Sequence, residues 1–342
     1  MKKYFLLLLI SIFSFTLISC TVPEPDKENP DDLPTDTPVT PPVGNANFDF
    51  EFDGEMHKIF EKENPYTELI EEYIYIGYYP QREITDEACI QVLSQINEFN
   101  DRGFIEHEGY EFAKVTVVNN HIYGEFPGND DVFYTGTKYR VGTTHYFLVE
   151  PLCWKVLRTT GNEYFLLTEN VIDSKAFNNI KDIETDENGN TLRPSDYEIC
   201  SLRNWLNNYF YDICFTDEEK AMIQESYNLN DAVNIVDNKN PYPFNPTYDR
   251  VFLLSSTEAT NRNNGFLSGD ARRAHPTDYA RSLGLVSVDD DILSSSNWWT
   301  RSGLEYTPLF PAMIKYDGSV DKSYYPDGSN IGVRPAIKII LE

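Results

Sequence analysis

The 342-residue chain carries 28 Lys and Arg against 55 Asp and Glu, a formal net charge of -27. That balance excludes nucleic acid as its main partner, because phosphate binding needs a basic footprint, and it argues against docking on anionic lipid through the protein's own charge. With 41% hydrophobic and 14% aromatic residues, the chain has enough core-forming side chains to rule out disorder throughout.

Met1-Lys2-Lys3 is a short basic start, and Tyr4 to Ser19 follows without a charge around Leu6-Leu7-Leu8-Leu9-Ile10. A spanning helix needs about 20 apolar residues, so this shorter run reads as a secretory signal. Its end, Leu17-Ile18-Ser19-Cys20, resembles the bacterial lipobox, a Cys behind a small residue and an aliphatic pair. The resemblance implies a signal peptide over 1–19, diacylglyceryl transfer to the Cys20 sulfur, cleavage before it, and a membrane partner reached through lipid. The alternatives are an uncleaved anchor or an ordinary signal with an incidental Cys. Residues 20–47 then read as a tether. Seven prolines from Pro23 to Pro42 and six acidic residues leave little apolar area to offset the entropy of ordering, and proline keeps the segment extended.

Residues 48–342 read as one α+β head with short strands, two or three helices and long loops. Tyr73 to Gly77 predicts a strand stopped by Pro80. Thr85 caps a helix whose apolar face is Ala88, Cys89, Val92, Leu93 and Ile96. Strands follow over 111–118, 139–149, 154–158 and 164–167, with a hairpin turn at Thr159-Thr160-Gly161-Asn162. Ile199 to Tyr211 predicts a helix, and Thr216 to Glu219 is a capping box opening another. Residues 228–248 and 261–297 are long polar loops. Val251 to Leu254 is a buried-type strand, Ala312 to Gly318 suggests a hairpin, and Ile331 to Leu341 a final strand. Cys89, Cys153, Cys200 and Cys214 allow two disulfides or buried thiols, and apolar neighbours favour thiols.

Six segments in order carry a second resemblance: Tyr79-Pro80-Gln81, Val149 to Leu157, Ser201 to Asn207, Val251 to Ala259, Trp298 to Ser302 and Gly332 to Ala336. Together they resemble an uncharacterised bacterial family of exported domains, over about 73–342. The closing Trp-Trp-x-Arg and Gly-x-Arg-Pro segments are loosely similar to C-type-lectin-like folds, including the formylglycine-generating type. No Glu-Pro-Asn sugar motif and no C-terminal cysteine pair accompany them, so the likeness implies architecture without activity.

There is no GxSxG elbow, HExxH helix, GxxxxGK[ST] loop or GxGxxG. The five histidines are scattered. Asp182 to Gly189 superficially resembles a calcium loop, but position 12 of an EF-hand would be Ser195 instead of Glu, so an exposed Asn-Gly turn competes with it. Asp289-Asp290-Asp291 could hold calcium with loop carbonyls or be a solvated acidic loop. No cofactor is expected, and calcium stays open.

Arg203, Arg301 and Arg334 could line one pocket and bind a carboxylate or sulfate, or could stack on tryptophans and clamp loops to the core. Adjacent strand residues point to opposite faces, so one of Trp298 and Trp299 could be core while the other meets a ligand beside Arg301. Trp298, Trp299, Arg301 and Arg334 are the candidate ligand-binding residues. The functional expectation is a lipid-anchored envelope or surface protein that binds a glycan or peptide. The alternatives are a hydrolase of envelope or host polymers and a structural envelope protein.

Overall fold

The computed structural model describes residues 46–117, 142–230, 244–288, 293–304, 307–321 and 325–341. Cys20, the signal, nearly all of the tether, Asp289–Asp291 and His121 lie outside the described residues.

The strands used below are β1 (Phe60–Glu63), β2 (Ile70–Glu83), β3 (Ile105–His107), β4 (Tyr110–Thr116), β5 (Thr144–Thr160), β6 (Glu163–Thr168), β7 (Asp173–Ser174), β8 (Val251–Leu253), β9 (Trp298–Gly303), β10 (Pro311–Ile314), β11 (Val320–Asp321), β12 (Gly332–Val333) and β13 (Pro335–Ile340). The first sheet runs β1-β2-β5-β6-β13-β8, with β4 on β5 and β3 outside it; the second runs β11-β10-β9-β12-β7. Among the described residues strand outweighs helix, 38% to 19%, and no barrel closes. The expected mix of strands and helices holds, weighted further toward strand.

Two long strands correct the sequence reading. β2 continues through Pro80, and β5 is one strand where two were expected, passing through Pro151. Proline removes a ladder donor, so it is tolerated where a strand lacks a second neighbour. β1 pairs β2 no further than Tyr73, and β5 carries β4 up to Leu148 and β6 only from Trp154. Pro80 and Pro151 both sit in those gaps. Between Tyr75 and Tyr78 the β2–β5 register shifts around Gly77, whose φ is +72°. A Cβ there would meet Cys214 Sγ and the Phe215 ring at 2.8 Å. That residue therefore has to be glycine for the strand to bend over the helical layer.

The helical layer is Ser201–Trp205, a π-turn over Leu206–Phe210, Tyr211–Cys214, and Asp217–Met222. The expected start at Ile199 is displaced: Tyr197–Ile199 is a 3-10 turn, Ile199 is exposed, and Cys200 is the cap. The helix at Glu87–Gln95 is capped by Asp86, one residue after the expected Thr85. The Thr216–Glu219 capping box forms as expected. A short helix at Ser256–Ala259 follows the expected Val251–Leu254 strand without having been expected itself, and another at Asp278–Ser282 lies inside the stretch read as a long polar loop.

The final segment is also divided. β12 belongs to the second sheet and β13 to the first, so Arg334 stands at the crossing. β9 has a core on each side. Trp299 packs with Ile74, Trp154, Phe177 and Tyr197, while Trp298 packs with Phe252, Leu254, Phe266 and Leu285. The four cysteines among the described residues are free thiols.

Candidate functional site

The β2–β5 register places Tyr73 opposite Lys155, Tyr75 opposite Cys153 and Tyr78 opposite Pro151. Residues directly opposite in an antiparallel pair share a face, so these three rungs form one continuous surface. At the Tyr73–Lys155 end it is the floor of a cleft of about 350 Å³. The chain entering β2 lines it with Lys62, Asn64 and Tyr66, and the segment 273–278 lines it with Arg273, His275, Thr277 and Asp278.

Charge in this cleft is high and nearly balanced. Lys155 Nζ lies 2.6 Å from Glu71 Oε1, with both side chains largely buried. Glu71 also accepts from Asn64 Nδ2 at 2.9 Å and from the Tyr73 hydroxyl at 3.1 Å. Lys62 pairs with Glu169 and lies 4.5 Å from the Tyr73 ring centroid. Arg82 pairs with Glu150 at 2.7 Å. Burial lowers the Lys155 pKa and raises that of Glu150, the latter against the pull of Arg82. Burial, then the nearby Glu169 and Glu71 carboxylates, push the Tyr73 phenol far up.

Arg334 lies against this cleft, almost fully buried. Its guanidinium donates to the carbonyls of Thr168, Arg272 and Glu169 and stacks 5.2 Å from Trp298. Burial brings its pKa down to about 10. The two linings meet where Arg273 stacks 4.6 Å from the Tyr66 ring, and Tyr66 donates its hydroxyl to the Ser294 carbonyl. His275 Nδ1 is 3.0 Å from that carbonyl, so this junction is one hydrogen-bonded block.

The candidates picked from sequence separate. Arg334 lines the cleft. Trp298 and Trp299 are both fully buried, with indole N–H groups donating to the carbonyls of Arg272 and Lys175, so neither presents a face to a ligand. The expectation of one exposed tryptophan fails because both sides of β9 are covered. Arg301 is also buried, donating to the Leu253 carbonyl and to Glu258 at 2.5 Å. Arg203 bonds Asp249 at 2.6 Å, away from the cleft. The three arginines therefore do not share a pocket. Lys62, Lys155, Glu169, Arg273 and His275 were missed, since their convergence depends on register and on loop placement.

Asp186 spends its carboxylate on the backbone N–H groups of Asn188 and Asn190 and on the Asn190 amide, inside a tight turn with Gly189 at φ +86°. Among the described residues no group of three or more His, Cys, Asp or Glu converges as a metal cluster.

The chain belongs to the family described as Domain of unknown function (DUF6273), whose model matches residues 161–341. The match begins at the β5–β6 turn, so Tyr79-Pro80-Gln81 and Val149 to Leu157 precede it, as does the β2–β5 floor of the cleft. No curated protein and no solved structure matches the chain.

Proposed function

We propose that this protein is a lipid-anchored binding module of the bacterial cell envelope or surface, with a lectin-like head that captures a glycan or peptide in the Tyr73–Lys155 cleft. The cleft carries the reading: its volume of about 350 Å³ falls in the range of small-ligand sites, and paired charges, tyrosines and an amide surround it. Fixed charges and hydroxyls in that density suit a ligand rich in hydroxyl, amide or carboxylate groups. Attachment through Cys20 and the Pro-rich tether would hold the head clear of the bilayer, and its acidity would keep it off anionic lipid.

One observation favours the hydrolase reading. Glu150, its pKa raised by burial against the pull of Arg82, shares the cleft with Asp278, and an upward-shifted carboxyl beside a second carboxylate is the arrangement a general acid and base use.

A panel of glycans, envelope polymers and peptides, offered to the full-length protein in detergent with and without calcium, tests both. Capture without turnover supports the module, and product release that Glu150→Gln abolishes supports the hydrolase. No capture and no turnover across the panel would refute both.

A further inference from the structure

The face that floors the cleft does not end at it. A second recess of about 490 Å³ adjoins the first and shares Gln81 and Glu150 with it. It continues over the Tyr75–Cys153 and Tyr78–Pro151 rungs, with Phe50, Phe52 and Tyr110 on its far side. A third hollow of about 300 Å³ shares Tyr75 with the second and reaches Asp53, Glu55 and Lys58. Three recesses therefore abut along one sheet face, joined at Gln81–Glu150 and again at Tyr75.

Their linings differ in kind. The first is a field of ion pairs. The second is built on aromatic rings: Phe52 meets Tyr75 edge-on at 4.9 Å, and Phe50 meets Tyr110 edge-on at 5.2 Å. Phe52 remains 42% exposed. Glu51, Glu111 and Glu150 supply acceptors around those rings.

Resting on the binding reading above, we infer that the groove takes a linear oligosaccharide of at least two rings, one over the Tyr75–Tyr78 platform and the next in the charged cleft. Sugar rings offer apolar C–H faces to aromatics and hydroxyl edges to carboxylates and lysines, and the recesses alternate in that way. A peptide fits less well. Where β5 has no second neighbour, its Glu150 and Pro151 carbonyls already accept from the Gln81 amide, and Pro80 and Pro151 have no N–H to offer an added strand.

The test is calorimetric titration of the full-length protein in detergent with N-acetylglucosamine and galacturonic acid, each as monomer and as linear tetramer. A tetramer gains at most about fourfold from having four units to offer, so only a larger ratio reports contacts beyond one recess. The expected result is a tetramer at least about tenfold tighter than its monomer for one of the sugars, with Phe52→Ala cutting that ratio at least about threefold. Phe52 is exposed, and an unchanged melting temperature certifies the variant's fold. A native ratio of fourfold or less, or a ratio untouched by Phe52→Ala, overturns the extended groove and leaves single-cleft binding standing. Capture of extended peptides with no response to any sugar overturns the glycan assignment alone. Silence towards sugars and peptides alike overturns the binding reading with it.

Discussion

Lys155 and Glu71 meet at 2.6 Å at the cleft floor, on neighbouring strands, with 4% and 13% of their side chains exposed. Burying an ion pair gains little over an apolar pair, but removing one partner leaves a charge without its counter-ion. Glu71→Gln should therefore lower stability by about 3–5 kcal/mol, while Glu71→Leu with Lys155→Met should stay within about 1 kcal/mol of the native protein. Urea unfolding measures both. A Glu71→Gln loss under about 1 kcal/mol would show that water reaches the pair.

Gly77 is a second point where one atom decides. Alanine at that position adds a Cβ 2.8 Å from Cys214 Sγ and the Phe215 ring, at a positive φ. Crowding and backbone strain together should cost roughly 3 kcal/mol, seen as a lower denaturation midpoint at unchanged m-value. An unaffected midpoint would mean that β2 can shed its bulge.

The tryptophan pair makes a sharper claim than the sequence did. Because Trp298 and Trp299 fill two different cores, Trp298→Ala and Trp299→Ala should each destabilise by about 3–5 kcal/mol. Any loss of ligand capture in these variants should track unfolding in near-UV circular dichroism. Well-folded variants of native stability that fail to capture ligand would return the pair to the binding surface.

Alkaline pH should unfold the protein through protons that only the native state retains. Burial raises Cys89 to about 11, Cys200 to about 12 and Tyr75 to about 12, and pushes Tyr79, Tyr197 and Tyr279 well above the ordinary phenol range. In the unfolded chain these groups ionise near about 8.5 for Cys and 10 for Tyr. The native state thus binds more protons, and its stability is intact below about pH 8.5 and falls as pH rises towards 12. Lys155 and Arg334, both lowered by burial, act in the opposite sense but are fewer. Melting temperature followed from pH 7 to 11 checks the sign. A flat profile above pH 9 would mean that these groups titrate freely in the folded protein.

Export can be checked without the head. Cys20→Ala should abolish fatty-acid labelling and release the protein from the membrane fraction. Retention of both would remove the lipid anchor from the proposal.

What the sequence made legible follows from how local each signal is. The Thr216–Glu219 capping box, the β5–β6 hairpin and the hairpin at Gly318 depend on residues within a few positions of each other, and the structure contains all three. The cleft depends on distance in sequence: Lys62 meets Glu169, and Tyr66 meets Ser294. No spacing rule encodes such meetings. The prolines misled for a related reason. Pro80 and Pro151 break strands in general, and are harmless here only because the neighbouring strands stop short of them. Trp298 and Trp299 obeyed the alternation rule, but the rule does not say that both sides of the strand will be covered.

The family match starts at residue 161, in the turn joining β5 to β6. A chain cut at that turn would keep β6 and strip away its partner β5, baring one long hydrogen-bonding edge and the hydrophobic floor beneath it. The matched segment is thus narrower than the unit that must fold in this chain. In this chain the front half closes that edge, and the part of the cleft built from β2 and β5 lies outside the matched segment.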